Sequence, residues 1–416
     1  SMVREREAVD SEFNLAKSSD SARIEQLISL FASDENPASK FMWGDSRTLK
    51  DRVSEDKLYT SLREFHQKYY SANLMTLAIL AKLPIDTLEN CALECFSQVP
   101  DRGASKPKYE ISKPLFRQSD FHSMYFVSSV KDVTKVTLMW EFPPVEGLYR
   151  SKPDELIGWL LAHEGKGSLL SYLKSKLWAL GLWGGITNDS VYCNSLYSLF
   201  RLEIALSEDG FRHLYDVITA TFAFIKLVKR SLPHKRIFEE IKILSDIEFK
   251  FQEEQTTTEF VENVVDDMHH YPSKEYLTGP RLYFDYAPEQ VTKLLAFIKP
   301  ETVNIMVRAK EFDSSVKLNK VEKWFQTKYS KEKIPAEWVD KWRTVESYPE
   351  FALPPSNSFI SSDFKILKNP PGLPDLKYPT KVKATNAMEV WHKLDSVFKL
   401  PIASINMHFL SPVGLN

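Results

Sequence analysis

Cysteine, glycine and net charge are all scarce in this 416-residue chain, and each scarcity excludes a class of protein. Three cysteines cannot form the framework of a small disulfide-rich secreted domain. Thirteen glycines leave little room for phosphate-binding loops, and a net charge of −2 gives no basic footprint for nucleic acid. No apolar run approaches the length of a membrane span, about 18–20 residues. We therefore expect neither a nucleic-acid partner nor a membrane span.

Two of the cysteines, Cys91 and Cys95, lie one helical turn apart. With Leu88 and Val99 they recur at the spacing of a buried helix face, so we predict two reduced core thiols. No second Cys or His pair has the spacing of a zinc site. Reduced cysteines favour an intracellular setting, and we expect a cytoplasmic protein. His66 also falls on an apolar helix face and is predicted to be a hydrogen-bonded core histidine.

Common catalytic signatures are missing as well. No His-x-x-Glu-His or His-x-x-x-His pair occurs among the nine histidines, and there is no Gly-x-Ser-x-Gly nucleophile elbow. His269 and His270 are adjacent, so on one element they point to different faces. The glycines between His163 and Ser168 lack the spacing of a phosphate loop. From the residues alone, no complete active site is present.

What the chain does have is a helix-forming start. From Val3 to Arg23 there is no Gly or Pro, and most residues are good helix formers. At about 100° per residue, Glu5, Val9, Glu12 and Ala16 fall on one narrow stripe. A solvated acidic face would explain this pattern. The alternative is a pair of acids held on an apolar stripe, which would need a partner or a metal because burying an unpaired carboxylate is costly.

Further along, the hydrophobic pattern predicts helices separated by short strands. Helices are predicted at 21–32, 58–70, 156–178 with a break at 163–168, 211–230 and 233–255, and one more begins at Asp86. Strands are predicted at 74–81, 124–130, 134–142, 192–206 and 302–308. The segments 101–114 and 348–380 are predicted to be linkers because they are rich in proline and small polar residues.

Weak internal repeats occur in a consistent order. The similar pairs are Asp10–Phe13 with Asp246–Phe249, Asn73–Leu77 with Val303–Val307, and Val136–Pro144 with Ser404–Pro412. Their order predicts the back half of one unit, a complete second unit, a linker and the first strands of a third. The predicted boundaries are 1–105, 115–345, 346–385 and 386–416.

Several segments together resemble the insulin-degrading enzyme and nardilysin branch of the pitrilysin family. They span essentially the whole chain, at Glu5–Glu12, Ser39–Gly44, Leu62–Met75, His163–Leu170, Trp178–Gly185 and Trp324–Tyr329. The resemblance implies an α+β fold of repeated metallohydrolase-like domains, each an antiparallel-rich sheet packed on helices. It also implies a zinc metalloendopeptidase that hydrolyses small peptides in a closed chamber, with Zn²⁺ bound by His-x-x-Glu-His and a downstream Glu.

The same resemblance assigns roles to particular residues. Glu12 matches the distal zinc-binding Glu, and Glu5 matches an acid two turns earlier that supports the zinc site. The His-x-x-Glu-His motif is expected upstream of Ser1. We therefore expect this chain to be an internal fragment that neither holds Zn²⁺ nor cleaves peptides alone, because one carboxylate is not enough to bind the metal.

A degenerate copy of the motif occurs in the second unit, where Trp159-Leu-Leu-Ala-His163 has Trp for the first His and Ala for the Glu. His163 is therefore not expected to be a ligand. The segment 163–165 is either a plain helix break or part of an exosite that anchors the N-terminal end of a peptide substrate. By resemblance, the exosite would use Trp159, Ala162, Glu164, Leu182, Trp183, Gly184 and Gly185. An exposed strand edge can add a peptide strand through backbone hydrogen bonds, and Glu164 could meet a free amino group.

Taken together, these observations predict that the chain is the middle portion of a zinc metalloendopeptidase with peptide substrates. Exposed strand edges at Ser404–Pro412 could also pair two chains, so a homo-oligomer is a further expectation. The alternative is a non-catalytic relative that uses the same fold for peptide binding or scaffolding. Retention of both Glu5 and Glu12 argues against that alternative, and the coding sequence upstream of Ser1 would decide between the two.

Overall fold

The computed structural model describes residues 2–232, 234–366, 368, 377–395 and 400–411. It divides into two compact units. The first unit is formed by 1–239 and 255–356, and the second by 240–254 and 357–416. Within the described ranges, no helix is both long and apolar enough to cross a membrane.

Helices and strands occur in successive groups along the chain. The helices are α1 (Met2–Ala16), α2 (Asp20–Ser29), α3 (Glu55–Tyr69), α4 (Ile85–Phe96), α5 (Gln118–Phe121), α6 (Pro153–Ala162), α7 (Leu169–Ser175), α8 (Glu208–Arg212), α9 (Leu214–Arg230), α10 (Lys235–Lys250), α11 (Thr257–His270), α12 (Pro288–Leu295) and α13 (Ala336–Thr344). The strands are β1 (Met124–Ser128), β2 (Lys135–Phe142), β3 (Ala179–Gly185), β4 (Ser198–Leu206), β5 (Asn304–Ala309), β6 (Lys320–Val321), β7 (Lys328–Glu332), β8 (Thr380–Ala384) and β9 (Glu389–His392).

A seven-stranded sheet organises the first unit, in the order β3-β4-β2-β5-β1-β7-β6. The pair β1–β5 is parallel and the other neighbours are antiparallel. The longest pairing joins β2 and β4, from Lys135 opposite Ala205 to Phe142 opposite Ser198. Because this antiparallel-rich sheet packs on helices, the predicted α+β fold class is confirmed.

Both faces of the central strands are covered, and alternate side chains supply the two cores. On one face, Trp140 is fully buried between the rings of Phe200 and Phe222, and its indole Nε1 donates to the carbonyl oxygen of Lys299 at 2.9 Å. That face is packed by α6 and α9. On the other face, α2 contributes Ile24, Leu27 and Ile28 to a buried cluster with Tyr125, Met139, Leu199 and Met306.

Helix α1 packs on the rest of the first unit through the aromatic ring of Phe13. Phe13 is the buried residue of α1, and its ring lies 5.3 Å from Phe41, 5.0 Å from Phe325 and 6.2 Å from Trp43. The loop that carries Phe325 is itself fixed by the buried carboxylate of Glu322, which accepts the N–H of Phe325 at 2.7 Å.

Three predictions for α3 and the segment that follows it are wrong. No strand forms at 74–81, Cys91 and Cys95 are exposed, and His66 is exposed on α3. Neither α3 nor α4 buries any residue, so large apolar side chains such as Leu62 and Phe96 remain in contact with solvent. No layer among the described residues covers these apolar faces, and a strand without a hydrogen-bonded neighbour is not formed.

In the second unit, β8 and β9 form an antiparallel hairpin. Residues 404–411 have no regular secondary structure, so the strand predicted at Ser404–Pro412 is wrong for its described part, and Pro412 lies outside the described residues. The linker prolines Pro370, Pro371 and Pro374 also lie outside them. The predicted domain boundaries stay a prediction.

Candidate functional site

Strand β3 forms one edge of the large sheet and pairs with β4 alone in the described part of the chain. The pairing runs from Ala179 opposite Leu206 to Gly185 opposite Arg201, with a bulge between Ala179 and Gly181. An edge strand leaves every second backbone N–H and C=O without a partner in the sheet. The edge is therefore available to a further strand.

Helix α6 packs directly on β3 because small residues face each other across the contact. A Cβ added at Gly158 would lie 2.8 Å from the carbonyl oxygen of Gly184 and 3.2 Å from the Cα of Gly185. A Cβ added at Gly184 would in turn lie 3.4 Å from the Cβ of Ala162. The structure thus brings the Ala162 end of α6 into contact with Gly184 and Gly185, which lie more than twenty residues further along the chain.

Trp183 lies on the other face of the sheet from α6. Its ring is 5.1 Å from the guanidinium carbon of Arg201 on β4, and 41% of the residue is exposed. The alternation of a strand accounts for this separation, since Trp183 neighbours Gly184. The predicted exosite residues on β3 therefore share one backbone edge of the sheet. Their side chains alternate between its two faces.

The loop after α6 carries the charged group of the predicted exosite. Glu164 is 67% exposed and lies 3.8 Å from Lys174 Nζ on α7, a weak ion pair at that exposure. The His163 ring packs on Trp159 at 5.0 Å, and burial lowers the pKa of His163 against the opposing charge of Glu164. A Cβ at Gly165 would lie 2.4 Å from His163 Nε2, so a side chain there would require the His163 ring to move.

Sequence reasoning missed the first turn of α6. Burial, with a smaller contribution from Glu155, raises the pKa of the partly buried Asp154 to about 7. Nearby, Tyr283 donates its hydroxyl proton to the carboxylate of Glu155, and the buried Lys152 Nζ donates to the carbonyl oxygen of Pro280 at 2.8 Å. Acids in a first helical turn are common, so the sequence gives no signal that Asp154 is unusual.

The stripe of α1 does not hold buried acids. Glu5 is 72% exposed and lies 3.9 Å from Arg4, and Glu12 is exposed. The idea of carboxylates held on a buried stripe is therefore wrong for this structure, and α1 turns Phe13 inward instead. Among the described residues, no group of three or more His, Cys, Asp or Glu side chains could hold a metal ion. The residues present do not fit Zn²⁺ by themselves, because a protein zinc site needs at least three ligands.

The fold is thus an α+β domain, an antiparallel-rich sheet packed on helices with β3 at one open edge. Two family models match successive parts of the chain: "Peptidase M16 inactive domain" over residues 57–244 and "Middle or third domain of peptidase_M16" over residues 249–415. The chain belongs to the peptidase M16 family, also known as the pitrilysin family, in the branch of insulin-degrading enzyme and nardilysin.

Relatives in that branch are similar along almost the whole chain. Nardilysin of Mus musculus is 38% identical over 413 residues, which are 99% of this chain and 35% of the relative. Insulin-degrading enzyme of Homo sapiens is 31% identical over 411 residues, 98% of this chain and 39% of the relative. The chain thus spans between about a third and two-fifths of the length of these relatives.

Two solved structures share the fold. The crystal structure of pitrilysin superposes with a TM-score of 0.81 at 24% identity and covers 94% of this chain and 40% of that one. The peptidase M16 inactive domain from Pseudomonas fluorescens gives a TM-score of 0.51 at 16% identity, covering 75% of this chain and 70% of that one. At these identities the likeness concerns the fold alone.

Proposed function

We propose that this chain is the peptide-anchoring part of a zinc metalloendopeptidase that resembles insulin-degrading enzyme and hydrolyses small peptides. The observation that carries the proposal is the open edge of β3 beside α6. Family membership supports the peptidase class, whereas the anchoring role is inferred from the geometry of this edge.

A peptide would bind as an added strand on β3. Along Leu182, Trp183, Gly184 and Gly185, the alternate N–H and C=O groups that do not bond to β4 would hydrogen-bond to the peptide backbone without regard to its sequence. Gly184 and Gly185 let a second backbone approach closely because neither projects a side chain toward the edge. Trp159 and Ala162, on the helix that backs the strand, would limit the size of the peptide's side chains.

Glu164 would orient the bound peptide. Its carboxylate is exposed and shares only a 3.8 Å contact with Lys174, so it can accept a hydrogen bond from a free N-terminal ammonium group. This would place the N-terminal end of the substrate at the loop after α6 and direct the rest of the peptide along β3.

Catalysis would require residues outside this chain. In the longer protein, Glu12 is proposed as one zinc ligand and Glu5 as its supporting acid, and the metal would supply the activated water of a peptidase. Because the residues that the structure describes do not form a metal site, no step of the reaction is assigned to them.

The anchoring role is tested by fluorescence polarisation with one labelled peptide in two forms, with a free and with an acetylated N-terminus. The free form should bind about twofold to fivefold more tightly, as expected for one exposed ion pair. Glu164→Gln should remove this difference, whereas Glu208→Gln on the exposed side of α8 should preserve it. Equal binding of both peptide forms would contradict the role of Glu164.

The metal assignment is tested in the longer protein by Glu12→Gln. Zinc content and peptidase activity should both fall, and unchanged values would exclude Glu12 as a ligand. Zinc-dependent cleavage by the 416-residue chain alone would contradict the proposal that other residues complete the site.

The second candidate function is peptide binding without catalysis. The exposure of Glu5 and Glu12 is compatible with it, since neither acid is held in a preformed site. Both candidates use the edge of β3, so the peptide-binding assay does not separate them. Zinc analysis of the longer protein does, because a non-catalytic relative would bind no stoichiometric metal.

A further inference from the structure

A cavity of about 410 Å³, lined by both charged and apolar side chains, lies between α2 and the face of the large sheet that is turned away from α6. The strand register places its polar residues side by side, because Thr137 is opposite Glu203 and Lys135 is opposite Arg308. Arg201 stands in the next row, opposite Met139. The cavity is within the size range of small-molecule sites, about 300–1,000 Å³.

Both oxygens of one carboxylate inside the cavity already have a cationic partner. One oxygen of Glu203 lies 2.6 Å from Lys135 Nζ, and the other pairs with Arg308. Burial acts to raise the pKa of Glu203, but Arg308 and Lys135 outweigh it and hold the pKa below its usual value. Glu203 is therefore an anion with two cationic partners and cannot neutralise a third cation.

Three buried donor groups point to a missing acceptor. The Nε atoms of Arg201 and Arg308 and the hydroxyl of Thr137 have no hydrogen-bond partner within the part of the chain that the structure describes. Thr137 is only 6% exposed. Arg201 stacks on Tyr192 at 3.6 Å and donates from Nη2 to Thr187 at 3.0 Å, but no carboxylate of the described residues lies within ion-pair distance of it. Buried donors without an acceptor are costly.

The net charge of the cavity lining indicates that the missing acceptor is an anion. Four cationic side chains line it, those of Lys131, Lys135, Arg201 and Arg308, against the two carboxylates of Asp20 and Glu203, which leaves a net charge of +2. A neutral water could satisfy a donor but not this excess of charge. Apolar side chains, among them Ile24, Ile28 and Met306, form the rest of the lining.

We propose that this cavity binds a small organic anion whose carboxylate or phosphate is held by Arg201, Arg308 and Thr137 while its apolar part packs on α2. Guanidinium groups bind such oxyanions with charge-assisted hydrogen bonds. The site is separate from the open edge of β3, although Arg201 also contacts Trp183 from the cavity side. The proposal does not depend on the proposed peptidase function.

Isothermal titration calorimetry of the 416-residue chain tests the proposal with four probes. Phenyl phosphate and phenylacetate combine an apolar ring with the two kinds of anion, inorganic phosphate lacks the ring, and benzyl alcohol lacks the charge. At least one aromatic anion should bind more tightly than both inorganic phosphate and benzyl alcohol. The ratio between phenyl phosphate and phenylacetate then identifies the anion class.

Two cavity variants should weaken the tighter probe by about tenfold or more, the value of a charge-assisted hydrogen bond. These are Thr137→Val, which keeps the side-chain shape, and Arg201→Gln. Arg212→Gln, which makes the same charge change on an exposed side chain, should bind like the unaltered chain. The rise in unfolding temperature with the probe provides a second readout in each variant.

Two results would overturn the proposal. Absence of binding by every probe up to about 10 mM would show that the cavity takes no such anion. Equal probe affinity in Thr137→Val, Arg201→Gln and Arg212→Gln, with unfolding curves that show all three folded, would place the anion elsewhere on the surface.

Discussion

Gly158 on α6 and Gly184 on the edge strand β3 are in contact through their backbones. A Cβ atom built on Gly158 would lie 2.8 Å from the carbonyl oxygen of Gly184. Real Cβ atoms do not approach a backbone oxygen so closely, so any side chain at Gly158 must push helix and strand apart. The glycine pair therefore sets the distance between α6 and the edge to which we propose that peptides bind.

Gly158→Ala should displace β3 and weaken both folding and peptide binding. We expect a loss of about 1–3 kcal/mol in the free energy of unfolding, as for other overpacked core positions. Urea denaturation measures the stability, and fluorescence polarisation measures peptide affinity.

Gly147→Ala is the matched control, because a Cβ there would meet no atom within 4 Å. It should leave both quantities unchanged. If Gly158→Ala behaved like Gly147→Ala, the contact between α6 and β3 would not control the edge.

Glu203→Gln should destabilise the sheet, because it leaves Lys135 and Arg308 without their shared carboxylate. The expected loss at pH 7 is about 1–3 kcal/mol, less than for a fully buried pair since Glu203 is 24% exposed. The pKa of Glu203 is lowered in the folded state. Its contribution to the free energy of unfolding is therefore present above the unfolded pKa and is lost as the pH falls through the folded pKa.

The difference in free energy of unfolding between Glu203→Gln and the unaltered chain should therefore become smaller below about pH 4. Urea unfolding at neutral and acid pH measures it, with Glu208→Gln as the exposed control. A gap that stayed constant with pH would mean that the glutamine disturbs packing and not charge.

The sequence predicted elements best where their apolar face packs against another layer of the structure. The strands predicted at 124–130, 134–142 and 302–308 correspond to β1, β2 and β5, and the helix at 211–230 contains α9. In each, alternating or helical apolar residues meet a covered face, so local pattern and tertiary packing agree.

The sequence misled where the covering layer is not among the described residues. Leu74–Ala81 has strand composition and Cys91 has core spacing, yet both depend on neighbours that this structure does not supply. The cavity residues could not have been predicted either. Lys135, Arg201 and Arg308 are scattered in sequence, and only the strand register brings them together.

Asp154 should make stability depend on pH near neutrality. Because burial raises its folded pKa to about 7, its favourable contribution is full below the unfolded pKa of about 4 and is lost as the pH rises toward 7. Asp154→Asn removes this dependence. Between about pH 4 and pH 7 the free energy of unfolding of the variant should rise relative to that of the unaltered chain by about 4 kcal/mol, and the difference should then level off.

Unfolding temperatures of the two proteins across this pH range measure the effect of Asp154. The exposed Asp132→Asn on the loop between β1 and β2 is the control, and it should track the unaltered chain. A gain for Asp154→Asn that was equal at all pH values would show that Asp154 does not titrate in this range.

Phe13→Ala should release α1, the helix that carries Glu5 and Glu12. Phe13 is fully buried against Phe41 and Phe325, so the loss in the free energy of unfolding should be about 3–5 kcal/mol for the region it holds. Leu15→Ala, on the same helix but 78% exposed, should cost less than about 0.5 kcal/mol. Hydrogen exchange resolves the two outcomes locally: the α1 amides should lose protection in Phe13→Ala alone, while those of β2 and β4 keep theirs. If α1 kept its protection without Phe13, the helix that presents Glu12 would be held by contacts other than this aromatic cluster.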